Sequence, residues 1–149
     1  MFKLSVKVEY GILAVLALSL HEDRAVAPLS AGSIAEKENL SIRFLEQAMN
    51  ALKERGVIES VRGPHGGYRL LKSPKEITLS DVILAFEGQK TKRVSAEFSA
   101  MFPSKPKILN EIVEGIDRAL ENHLHAIDFD ALTRRTRELT EKEALMFHI

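Results

Sequence analysis

Cysteine is missing from all 149 residues of this chain. Its absence excludes disulfides, thiolate zinc sites, a catalytic thiol and a cysteine-held iron–sulfur cluster together. Long hydrophobic runs are missing too. A membrane-crossing helix needs about 18 consecutive apolar residues, and the apolar stretch 13–20 is far shorter. It also lacks the small-residue cleavage site of a secretory signal, so the expected location is the cytoplasm, with no membrane partner. Catalytic motifs are absent as well: no nucleotide-type glycine loop, no nucleophile elbow and no HExxH zinc motif. The glycine-rich residues 63–67 lack the lysine and following helix that a phosphate loop requires. The expectation is a protein that is not an enzyme.

Net charge is absent only on average. Twenty-one basic and twenty-one acidic residues cancel to zero, but they are segregated. Residues 41–75 hold seven bases (Arg43, Lys53, Arg55, Arg62, Arg69, Lys72, Lys75) and three acids (Glu46, Glu54, Glu59). From residue 110 to the end there are five bases and nine acids. Attraction to phosphate depends on the local patch rather than the total, so the middle of the chain is where a polyanion would bind.

The chain is long enough for one domain, or a small domain with an extension, and 45% hydrophobic content is ample for a core. Ser5 can cap a helix to about Leu20, with Tyr10, Leu13, Ala14, Ala17 and Leu20 recurring at three- and four-residue steps. A short helix opens at Ser30 or Ala31 and stops at Asn39, whose side chain tolerates positive φ. Ser41 can cap the next helix with its side chain. Leu45, Ala48, Met49 and Leu52 form the inward stripe of that helix, and Gly56 ends it. Two short helices joined by a tight turn fit a helix-turn-helix. A β-hairpin follows, with strands at 57–61 and 68–71 around the basic tip Arg62, Gly63, Pro64, His65, Gly66 and Gly67. Thr78 and Asp81 have capping-box spacing before another helix. The fold class expected is mainly α, a winged helix-turn-helix with a two-stranded β wing.

Beyond an aperiodic segment at 89–104 the pattern changes. Leu109, Val113, Ile116, Leu120 and Leu124 step by four, three, four and four, and Ile108 and Ile112 broaden the face. A helix about 30 Å long with one apolar side must bury that side, and a second copy of itself is the economical partner. These residues are therefore the expected homodimer surface. A last, strongly charged helix runs from about 128 to 145. The division expected is a DNA-binding domain at 1–88, a linker at 89–104, and dimerisation and C-terminal helices at 105–149.

These residues together resemble a group of bacterial transcription factors. They are the dimeric winged-helix regulators that include the iron–sulfur cluster regulator, the nitric-oxide-sensitive repressor and the cysteine metabolism repressor. The resemblance is carried by residues 3–5 with Tyr10, by 34–36, 44–47 and 52–56, and most strongly by 60–70, then by Ile77 and Asp81. It extends more loosely through the long helix and 127–132. Cluster-binding members carry three cysteines before the long helix. An ungapped comparison puts Ser95, Met101 and Lys107 there, with Asn110 where some members have histidine. This chain therefore resembles a cluster-free member, or one whose cysteines have been taken out, and no cofactor is expected.

The resemblance and the residue chemistry agree on double-stranded DNA as the partner. Ser41, Arg43, Phe44, Glu46 and Gln47 occupy the first turns of the recognition helix. Gln47 can pair with adenine, Arg43 with guanine or a phosphate, and Glu46 can accept from cytosine N4 or form a surface salt bridge. Arg62 can enter a minor groove, with Gly63, His65, Gly66 and Gly67 shaping the tip around it. Ser30, Ser33 and Lys37 can bind phosphates, although capping explains the serines equally well. Tyr68 reads as a hairpin core residue. His123 and His125, two apart, fall on different sides of a helix and make a poor metal pair; Glu9 reads as a surface charge. The function expected is a repressor acting as a homodimer on a palindromic operator, tuned by a regulatory protein or a small effector. The competing reading is a winged-helix module whose main partner is another protein.

Overall fold

The computed structural model describes residues 3–22, 27–87, 100–101 and 107–148. Among these, six helices and a β-hairpin follow in order: α1 (Val6–Glu22), α2 (Ala31–Glu38), α3 (Ile42–Glu54), β1 (Ile58–Val61), β2 (Gly67–Leu70), a 3-10 turn (Pro74–Glu76), α4 (Leu79–Glu87), α5 (Lys107–His125) and α6 (Phe129–Phe147). The linker at 89–104, including Ser95, lies outside the described residues except for 100–101, which are helical.

Local chemistry accounts for most helix ends. The Ser5 hydroxyl accepts from Val8 N–H at 3.4 Å, and Ser30 from Ser33 N–H at 3.1 Å. Asn39 takes the left-handed conformation (φ 52°) that releases the chain from α2. Thr78 and Asp81 make both halves of a capping box, at 2.9 and 3.3 Å. Gly56, at φ 76°, ends α3; Val57 N–H reaches back to Leu52 C=O at 3.0 Å in a Schellman arrangement. A side chain with a Cβ would be strained there.

α1 is buried on much of its circumference and forms the floor of the molecule. α3, α4 and α6 all pack on it. The core gathers Val15, Leu18, Ile34, Leu45, Met49, Leu52, Ile58, Ile77 and Val82. Phe129 joins that core from the far end of the sequence and is fully buried. Its backbone is tied down as well. Phe129 N–H donates to Ile77 C=O at 2.9 Å, and Leu79 N–H to Ile127 C=O at 2.8 Å. Behind it the buried Thr133 hydroxyl donates to Ser19 Oγ at 2.8 Å, so this polar pair satisfies itself. α6 is thereby clamped to α1 through its first turns.

Two boundaries differ from expectation. The strands begin one residue later and one earlier than expected, at Ile58 and Gly67. Ser41 stands at the α3 N-cap but its side chain makes no capping bond. Its own N–H donates instead to the Tyr10 hydroxyl at 3.2 Å.

Candidate nucleic-acid interface

α3 splits into two stripes. Leu45, Ala48, Met49 and Leu52 face inward and are at most 3% exposed. Arg43, Glu46, Gln47 and Asn50 repeat the same i, i+3, i+4, i+7 spacing on the opposite side, and all four are exposed. Asn50 extends the stripe one turn beyond the residues expected from the sequence, and its spacing from Arg43, Glu46 and Gln47 marks it. The expected salt-bridge alternative for Glu46 is not realised: among the described residues it has no ionic partner. Arg43 is equally unpaired.

The start of the helix is unusual in two further respects. Ile42 and Phe44 are 49% and 56% exposed, an apolar pair at a helix N-terminus that projects from the protein. The Phe44 ring meets Tyr10 edge to face at 6.2 Å. With the Ser41 N–H bond, this contact ties Tyr10 of α1 to the α3 N-terminus. Nothing in the local sequence around Ser41 signals it, because the two residues are 31 positions apart.

The wing stands beside this helix. β1 and β2 pair antiparallel, Ile58 with Leu70 through Val61 with Gly67. The chain before α2 adds a third strand position: Leu29 and Tyr68 exchange backbone hydrogen bonds at 3.0 and 2.9 Å. That contact explains Gly67, where a Cβ would lie 2.5 Å from Leu29 C=O. Gly66 N–H closes the tip on Gly63 C=O at 3.0 Å. Arg62, Gly63 and His65 are exposed, whereas Gly66 and Gly67 are half-buried. Arg69 is paired with Glu59 on the hairpin face, so Arg62 carries the wing's uncompensated charge. Tyr68 packs against the core, as a hairpin residue should. Ser30 and Ser33 bond each other at 2.9 Å and serve the cap.

At the other end, α5 contains no buried residue. Ile108, Leu109, Ile112, Val113 and Ile116 are 45–61% exposed, while Leu120 and Leu124 are half-buried within the protomer. His125 contacts Ser80 and His123 is exposed. No group of three or more potential metal ligands occurs among the described residues, and no described helix is long and apolar enough to cross a membrane.

A helix-turn-helix with an exposed polar stripe on its second helix, followed by a basic wing, defines a winged-helix DNA-binding protein. The model of the Rrf2 family, described as iron-dependent transcriptional regulators, matches residues 4–135, and the chain belongs to that family. It is 36% identical over 124 residues to BadM of Rhodopseudomonas palustris, named as an HTH-type transcriptional regulator, covering 83% of this chain and 76% of that one. It is 38% identical over 85 residues to IscR of Photorhabdus laumondii, covering 57% of this chain and 51% of that one. Among solved structures, IscR of T. potens superposes with a TM-score of 0.74 at 29% identity, covering 93% and 90% of the two chains. CymR of B. subtilis gives 0.73 at 28% identity, covering 91% and 98%. These relatives are transcriptional regulators rather than enzymes. The family description names iron, but a cluster of the thiolate kind has no ligands in a chain without cysteine.

Proposed function

We propose that this regulator binds a palindromic operator as a homodimer and represses transcription by occluding a promoter. The observation that carries the reading is the exposed stripe Arg43, Glu46, Gln47 and Asn50 on a helix whose other face is fully buried. Such a helix is held rigidly with its polar side outward, which is what reading base edges in a major groove requires. Gln47 and Asn50 each have the amide geometry that pairs with adenine, Arg43 reaches guanine or phosphate, and Glu46 accepts from cytosine. Ser41 and the apolar Ile42 and Phe44 lie against the groove wall, where thymine methyl groups are available. Arg62 enters the flanking minor groove, with Gly63, His65, Gly66 and Gly67 holding the tip narrow.

The dimer forms through Leu109, Val113 and Ile116, widened by Ile108 and Ile112, with Leu120 and Leu124 at its edge. An apolar face of this length does not stay in water. Residues 1–88 then act as the DNA-binding part, 89–104 as linker and 105–149 as the dimerising part, in the cytoplasm and without an iron–sulfur cluster. A winged helix serving mainly as a protein-interaction module is not favoured by membership in a family of transcriptional regulators.

Recovery of bound DNA genome-wide tests the reading. An enriched palindrome is expected, bound with an affinity that falls steeply between about 50 and 200 mM salt. Recovery without any palindrome would refute the operator.

A further inference from the structure

Away from the exposed face of α3 the fold leaves a recess. Between the C-terminal end of α1, the outer face of α2 and the middle of α6 lies a cleft of about 480 Å³, within the range of about 300–1,000 Å³ typical of small-molecule sites. It opens where α6, clamped at Phe129 and Thr133, passes over α2. Its floor is apolar: Ala17, Leu20, Leu29 and Ile34.

Both walls are polar, and each holds a cation and a carboxylate: Lys37 and Glu38 on α2, Arg137 and Glu141 on α6. On the α6 side, the Thr136 hydroxyl donates to Leu132 C=O at 2.8 Å and the Thr140 hydroxyl to Thr136 C=O at 2.9 Å. Both protons are spent on the helix backbone, so these oxygens offer only lone pairs to the cleft. Glu141 stands beside them as a further acceptor. On the α2 side Lys37 offers an ammonium group, with Glu38 and Ser33 lining the same wall. Neither Lys37 nor Glu141 takes part in an ion pair or side-chain hydrogen bond among the described residues. Arg137 also lines the cleft but is already engaged.

We propose that this cleft is an effector site for a small α-amino acid with an apolar side chain. The carboxylate pairs with Lys37 on α2, the ammonium group donates to Thr136, Thr140 and Glu141 on α6, and the side chain covers the Ala17–Ile34 floor. A ligand with only one charged end leaves either Lys37 or the α6 acceptors unanswered. Because α2 leads through the Asn39 turn directly into α3, an occupant that draws α2 toward α6 alters the seating of the recognition helix. That last step rests on the DNA-binding reading above; occupancy of the cleft does not.

Methyl NMR on the full chain separates the two. L-leucine, L-methionine and L-phenylalanine are titrated to about 10 mM, above a millimolar Kd, with 4-methylpentanoate and isopentylamine as single-charge controls. At least one amino acid shifts the Ala17 and Ile34 methyl signals saturably, each control binds about tenfold more weakly, and Lys37→Met and Thr140→Val each cost about tenfold. Both substitutions are at exposed positions, and unchanged spectra elsewhere certify the fold. The site is refuted if none of the three amino acids moves those signals, if a control binds as well, or if both variants bind normally. In a second arm, the saturating amino acid changes operator affinity by about fivefold or more. Unaltered operator affinity with an occupied cleft overturns the coupling alone. Failure to bind any operator overturns the DNA reading, and the methyl titration still decides the site.

Discussion

α3 and α5 carry the same kind of sequence and meet opposite fates. Each is an amphipathic helix with aliphatic residues at three- and four-residue steps. α3 hides its stripe completely, with Leu45, Met49 and Leu52 at 0% exposure, whereas Ile108 through Ile116 of α5 lie about half in water. The difference is not in hydrophobicity but in where the complementary surface resides. For α3 it is α1, in the same chain. For α5 no described residue covers the face, and the proposed homodimer would supply the missing surface. Periodicity therefore tells that a face will be buried, and says nothing about whose surface buries it.

The contrast can be broken at either helix. Leu52→Ala removes a fully buried side chain and should destabilise the protomer by about 3 kcal/mol or more, measured by urea denaturation. The matching Ile112→Ala should leave protomer stability nearly unchanged in a dimer-free background; an equal loss would mean that α5 is buried within its own chain. Ile112→Glu combined with Ile116→Glu should give a folded monomer by light scattering. Its operator affinity should fall by about 100-fold, because the two half-sites no longer act together. A dimer that survives this pair of charges would remove α5 as the interface.

Smaller effects probe the reading face itself. Arg62→Ala should weaken operator binding by about tenfold and flatten its salt dependence; unchanged binding would take the wing out of the groove. Asn50→Ala should cost about tenfold at one operator position and relax the base preference there, and a uniform loss over all sequences would reassign Asn50 to the backbone. Tyr10→Phe keeps the edge-to-face contact with Phe44 but removes the acceptor for Ser41 N–H. A loss of about 1 kcal/mol, or about fivefold in operator affinity, is expected with little change in stability. Should the variant bind DNA normally, the ring alone positions α3.

Much of the site was legible before the fold. The helix stops at Asn39 and Gly56, the Thr78–Asp81 box and the wing tip around Arg62 all stand where residue chemistry placed them. Asn50 was equally legible and was passed over, since the stripe was read only through its first turns. Ser41 is the instructive failure. A serine before an amphipathic helix is a good capping candidate on local grounds, but a tyrosine from α1 takes its N–H and leaves its side chain uncommitted.

By itself the sequence determined what depends on composition or on neighbours within about a dozen positions: the exclusion of thiolate chemistry, helix stops, stripes, the hairpin, and the family they add up to. Only the tertiary structure decided which distant groups meet. It put Leu29 against Tyr68 as a third strand position, and so explained Gly67. It sank Phe129 into the core of the helix-turn-helix, tied Ser19 to Thr133, and opened the cleft between Lys37 and Thr140. Each of these joins residues tens of positions apart. Local propensity does not encode such pairings, because they are selected by the packing of whole elements against one another.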